Sequence, residues 1–139
     1  MKVSSASINI KASPDKIWRI LTDGPNYPAW DPSVVRIEGT IAAGEKITAY
    51  TKLSTRSFPV KVTEFVPGKK MTWTGGMPLG LFTGVRTFTL APKGDGSVDF
   101  TTREEFSGPL LGMMAGSLPD MTQVFKDMVD GLKARAEKS

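Results

Sequence analysis

Cysteine and histidine are both missing from this chain of 139 residues. Without cysteine there are no disulfides, thiol nucleophiles or thiolate metal sites; without histidine the commonest metal ligand and the usual proton carrier near neutral pH are gone. No metal site and no cofactor are therefore expected. Also missing is an apolar run of the roughly 18 residues that a membrane helix needs. Met1-Lys2-Val3-Ser4-Ser5 reads into a strand rather than into the apolar core of a signal peptide, so no integral membrane segment and a cytoplasmic location are expected. Clustered charge is scarce as well. Lys and Arg number 18 against 14 Asp and Glu, a net charge of +4, and Lys69-Lys70 is the single adjacent basic pair. A nucleic-acid face needs grouped cations with stacking aromatics, so no nucleic-acid partner is expected.

What is present describes one globular domain over residues 1–139, with 40% hydrophobic and 23% charged residues. Val3 to Lys11 alternates as a strand, and Ser13-Pro14-Asp15 then starts a helix: a hydroxyl cap, a proline where its missing N–H costs nothing, and an acid in the positive first turn. Ile17, Ile20 and Leu21 share one face of that helix, Trp18 lies at its edge, and Asp23-Gly24-Pro25 stops it. A second short helix is expected around Tyr27-Pro28-Ala29-Trp30-Asp31-Pro32. Six further strands follow, at Val34 to Thr40, Glu45 to Leu53, Ser57 to Val66, Lys70 to Gly75, Gly84 to Ala91 and Ser97 to Ser107, rich in β-branched, aromatic and Thr residues and punctuated by glycine turns. Lys93-Gly94-Asp95-Gly96 is the strongest hairpin signal among those turns. Consecutive hairpins make an antiparallel meander. From about 118 to 136 the period becomes helical, with Met121, Phe125, Met128 and Leu132 on one face and Val124 and Val129 widening it. That face needs cover, and a curved sheet is the surface available.

Strand, two short helices, six-stranded meander and long terminal helix is the order of the helix-grip fold, an α+β architecture. The chain resembles the SRPBCC superfamily of START and pollen-allergen-like proteins, in particular its polyketide-cyclase/dehydrase and lipid-transport branch. The resemblance runs over essentially the whole chain. It is carried by Ser13-Pro14-Asp15-Lys16-Ile17-Trp18, Tyr27-Pro28-Ala29-Trp30-Asp31-Pro32, the strand Gly84-Val85-Arg86-Thr87-Phe88-Thr89-Leu90 with Gly94-Asp95-Gly96 after it, and Arg103-Glu104-Glu105-Phe106-Ser107-Gly108. It implies a deep apolar cavity between sheet and terminal helix that holds a hydrophobic small molecule. It does not imply catalysis, because one fold hosts many functions.

Strand alternation nominates the cavity wall. Phe88 and Leu90 carry Arg86 to the inner face, and Val98, Phe100 and Phe106 carry Thr102 and Glu104 with them. Folding about Lys93-Gly94-Asp95-Gly96 brings Arg86 close to Thr102 and diagonal to Glu104. An inward Arg and Glu must be paired or must anchor a ligand head group, and a catalytic acid or base at Glu104 with Arg86 beside it stays open. Family members often carry histidine at the position of Arg86, so an imidazole mechanism does not transfer. Trp73 faces the same way as Met71, toward the cavity, while Trp30 plugs its end or staples the second helix. Asp31 reads as a turn residue. Two apolar loops, Met77 to Phe82 and Pro109 to Leu118, read as flaps at an entrance, which places Leu79, Phe82, Met113 and Met114 with Met121 and Phe125 among the ligand contacts. A closed lid, a homo-oligomer contact, docking on a membrane surface and a partner-protein contact are the alternatives for these loops. Three functions remain open at this level: a carrier for a lipid, polyketide-like or aromatic molecule, a cyclase/dehydratase-type enzyme, and a protein-interaction module.

Overall fold

The computed structural model describes residues 2–52, 57–77, 80–109, 111 and 121–138. Seven strands form one curled antiparallel sheet: β1 (Lys2–Ile10), β2 (Val34–Glu38), β3 (Lys46–Thr51), β4 (Ser57–Val66), β5 (Lys70–Met77), β6 (Phe82–Pro92) and β7 (Val98–Ser107). Their spatial order is β1-β7-β6-β5-β4-β3-β2, so the meander runs from one edge inward and β1 closes against its last strand. Bulges between Val34 and Arg36 and between Val62 and Glu64 add local twist. This is the expected helix-grip architecture, and the seven strand positions agree with the sequence reading to within two residues at most ends.

Helix α1 (Pro14–Leu21) begins as its sequence dictates: Ser13 is extended at the cap, its Oγ accepts from the Lys16 N–H at 3.2 Å, and Pro14 opens the helix. Trp18, at the edge of the apolar face, packs into the core beside Ile17 and Leu21 and meets the Phe65 ring edge-on at 5.2 Å. The second short helix is a 3-10 turn, Gly24–Ala29, and Asp31 after it accepts from both the N–H and the hydroxyl of Ser33, as a turn residue does.

The terminal helix α2 (Thr122–Glu137) starts at Thr122, later than the expected 118, with Met121 at its cap. Residues 112–120 lie outside the described part, as do Leu79, Met113 and Met114 of the two apolar loops. Phe125, Met128, Val129, Leu132 and Ala136 are buried, so the helix presents the expected face, while Met121 is only half-buried. The helix packs mainly on β1, and its C-terminal half is tied down by polar contacts. Lys133 Nζ donates to the Asn9 carbonyl at 3.0 Å, the Lys11 N–H donates to Glu137 at 2.9 Å, and Lys16 Nζ donates to the Lys138 carbonyl at 2.8 Å. Gly131 has a specific reason to be glycine. A Cβ there would lie 1.8 Å from the Trp30 carbonyl oxygen, so only a bare backbone lets α2 settle on the 3-10 turn.

Candidate functional site

The antiparallel ladders bring one row of side chains together across the inner face. Ser4 of β1 lies opposite Glu104 of β7, Glu104 opposite Arg86 of β6, Arg86 opposite Trp73 of β5, and Trp73 opposite Val62 of β4. The next row inward is Ala6, Thr102, Phe88 and Met71, and beyond it come Ile8, Phe100 and Leu90. A polar row thus sits on an apolar floor.

One expectation changes here. Arg86 faces Glu104 directly and Thr102 is the diagonal neighbour, because Asp95 captures both the N–H and the hydroxyl of Ser97 and holds that residue in the turn. The Lys93 N–H donates to the Ser97 carbonyl at 3.0 Å and closes a turn over Gly94, Asp95 and Gly96, so the partner of Arg86 lies two residues further along β7 than expected, on the same face.

Arg86 is half-buried and clasped by rings. Its guanidinium carbon lies 4.7 Å from the ring centres of Phe88 and Phe125 and 6.0 Å from that of Trp73. The negative faces of these rings offset part of the cost of drawing the cation out of water. Nε donates to Oγ1 of the fully buried Thr102 at 3.0 Å, which fixes the plane of the group. The ion pair with Glu104 offered by the sequence is not made: among the described residues no salt bridge of 4.0 Å or less joins Arg86 to Glu104, although the ladder sets them face to face. Burial pushes the Glu104 carboxyl above the ordinary glutamate range, and the charge of Arg86 offsets this only partly.

Behind this row lies a chain of aromatics. Tyr27 is within 4.6 Å of Trp30 and 6.1 Å of Trp73, and Trp73 meets Phe88 edge-on at 4.8 Å. The Tyr27 hydroxyl donates to the Leu21 carbonyl, and burial pushes its pKa upward. Trp30 is therefore a staple, but to α2 and Tyr27 as much as to the sheet. The indole N–H groups of Trp30 and Trp73 are buried and have no hydrogen-bond partner among the described residues. Native interiors rarely leave such donors unused, so two in one aromatic chain call for an explanation.

Among the described residues the floor beneath this row is closely packed. Phe88, Phe100, Phe125 and Met128 are each 0% exposed, so no water-sized space touches them. Phe88 and Phe100 are floor, and the accessible part of the row is Arg86 with Glu104. At the rim Phe82 stacks on Phe106 at 5.5 Å, and Gly84 permits this, since a Cβ there would lie 3.2 Å from the Phe106 ring. A surface cleft of about 440 Å³ lies at the other end of α2, lined by Lys16, Arg19, Asp23, Arg135 and Lys138 with Ile20, and shares no residue with this row. Among the described residues no group of His, Cys, Asp or Glu is arranged to hold a metal ion, and no helix is long and apolar enough to cross a membrane.

Of the sequence candidates, the structure brings together Trp73, Arg86, Phe88, Thr102, Glu104 and Phe125, with Phe100 beneath and Phe82 at the rim. Sequence reasoning missed Gly131, whose position inside a helical pattern was the available signal, and missed the unpartnered indole donors, for which a sequence offers none.

Solved structures share this architecture over nearly the whole chain. A START superfamily protein from Mycobacterium smegmatis is 17% identical with a TM-score of 0.71, covering 98% of this chain and 97% of its own. The Aha1 dimer from Colwellia psychrerythraea is 22% identical with a TM-score of 0.75, covering 99% and 98%. Truncated norcoclaurine synthase from Thalictrum flavum is 18% identical with a TM-score of 0.70, covering 99% and 94%. No curated protein sequence matches the chain. At these identities the likeness shows the fold alone, whereas the family model for polyketide cyclase/dehydrase and lipid transport matches residues 1–137. The chain therefore belongs to the polyketide cyclase/dehydrase and lipid-transport family.

Proposed function

We propose that this protein binds a small, largely apolar molecule between the rim of the sheet and the first turns of α2, with the polar end of that molecule on Arg86. The observation that carries the reading is the ring-clasped guanidinium: Nε is fixed by Thr102, while the terminal nitrogens have no partner among the described residues. An apolar surround with few oriented polar groups is the usual form of a small-molecule site. The family description, which names lipid transport, supports the same reading. Native mass spectrometry of protein purified from its own host should show a co-purifying small molecule. Titration with that molecule should quench the fluorescence of Trp73, and Trp73→Phe should remove the change. Saturable binding that leaves Trp73 fluorescence untouched places the site elsewhere.

A second reading, cyclase- or dehydratase-type catalysis, is favoured by one observation: a carboxyl with a raised pKa faces a guanidinium across the ladder. In that chemistry Glu104 would move a proton and Arg86 would stabilise developing oxyanion charge. Turnover of an identified ligand that is lost in Glu104→Gln while binding persists distinguishes this reading from simple carriage.

A further inference from the structure

The inventory of donors and acceptors around Arg86 says what the polar end of the ligand should be. An arginine has five N–H donors. One is engaged by Thr102, and among the described residues the other four have no partner. The Trp73 indole N–H, opposite Arg86 on the ladder, is a further buried donor with no acceptor among the described residues. Facing these stands one carboxyl group, Glu104, beyond ion-pair distance of the guanidinium. Donors exceed acceptors, and among the described residues no carboxylate lies within ion-pair distance of the guanidinium in this half-buried site.

Resting on the ligand-binding reading above, we infer that the ligand is an apolar molecule ending in a carboxylate, which the free edge of Arg86 takes as a two-point hydrogen-bonded pair. The geometry suits that head group. A guanidinium bonded through Nε to Thr102, with its carbon 4.7 Å from the ring centres of both Phe88 and Phe125, has lost much of its rotational freedom already, so its fork is set for a planar two-oxygen partner. A neutral hydroxyl would fill one donor and leave the charge uncompensated. A phosphate, bearing nearly two charges, would want a second cation, and the row Ser4, Glu104, Arg86, Trp73 and Val62 holds only one. Two further features favour the anion. Phe125 belongs to the first turn of α2, so the positive end of that helix dipole lies beside the guanidinium. Glu104 makes no ion pair with the guanidinium, which leaves that edge open to an incoming carboxylate.

The test uses two matched pairs of probes, dodecanoate with dodecanol and naphthalene-2-acetate with 2-(naphthalen-2-yl)ethanol, titrated into the full chain and into Arg86→Gln by calorimetry. In the native protein at least one carboxylate should bind about tenfold more tightly than its alcohol, the margin expected of a charge-assisted pair. Arg86→Gln should bring the two members of that pair together by weakening the acid and leaving the alcohol unchanged. If Arg86→Gln does not fold, Arg86→Lys serves in its place, since it keeps the charge and loses the fork, and it should cut the preference severalfold. Equal binding of acid and alcohol overturns the carboxylate inference and leaves the ligand-binding reading standing. A preference that survives intact in Arg86→Gln also overturns it, by placing the head group elsewhere. Failure of all four probes to bind removes both.

Discussion

The two ends of α2 solve opposite problems. Around its C-terminal half the carboxylate of Glu137 accepts from the Lys11 N–H and from Lys133, and these contacts hold its pKa below the ordinary range. Around its first turn the carboxyl of Glu104 has no such partner among the described residues, and burial pushes its pKa the other way. One end uses its polar groups to close the structure on itself; the other leaves a guanidinium edge and an indole N–H with no partner among the described residues. The difference separates groups that serve folding from groups that await something else, more clearly than burial alone, since Thr102 is fully buried and yet serves the second set.

That comparison can be broken most forcefully at Gly131. In an open helix Gly131→Ala would stabilise by up to about 1 kcal/mol through propensity. Here the new methyl meets the Trp30 carbonyl, and the variant should lose about 3 kcal/mol or more in urea denaturation. A stabilised variant would falsify the close approach. Leu132→Ala, at the same end and fully buried, should cost about 3 kcal/mol. At the open end Thr102→Val keeps the volume and removes the acceptor for Arg86 Nε, so it should cost only about 1–2 kcal/mol. Its larger effect should be on ligand affinity, because the guanidinium loses its orientation.

Glu104→Gln sharpens the contrast through its sign. A carboxyl whose folded pKa is raised contributes stability below the ordinary glutamate pKa and loses that contribution as pH rises through the folded value. Glu104→Gln should therefore raise the denaturation midpoint slightly at pH 8, and the gain should vanish by pH 4. An ion pair with Arg86 would give the reverse, a loss at pH 8. The two-pH comparison is thus a direct reading of whether Glu104 is paired.

How much of this was legible in the sequence follows the same division. The strands, the α1 cap and the buried face of α2 could be read because each depends on local chemistry: Ser13 before Pro14, glycines at turns, a 3.6-residue period. The inward placement of Arg86, Thr102 and Glu104 could be read from alternation, which survives small errors in strand ends. Their pairing could not, because the closing pair of the β6–β7 turn, Lys93 with Ser97, sets the partner of every residue along both strands and puts Glu104 rather than Thr102 opposite Arg86. Nor could the filled floor be read: Phe88 and Phe100 have the same pattern whether they line a cavity or pack against Met128. The clasp on Arg86 needs Phe125, which is remote in sequence and arrives only when α2 docks.

The contact between Gly131 and the Trp30 carbonyl also has a mechanical meaning. With the far half of α2 pinned there and at Lys133, Glu137 and Lys138, the helix can tilt but cannot slide, and its pivot lies near its middle. Phe125 is six residues from that pivot, a lever of about 9 Å, so a tilt of about 10° would move its ring by roughly 1.6 Å. A lift of that size is on the scale of a thickened contact rather than of an open channel, and it occurs directly above the guanidinium. Amide exchange along α2 should record the pivot as a gradient, with the turn containing Phe125 exchanging faster than the turn containing Leu132.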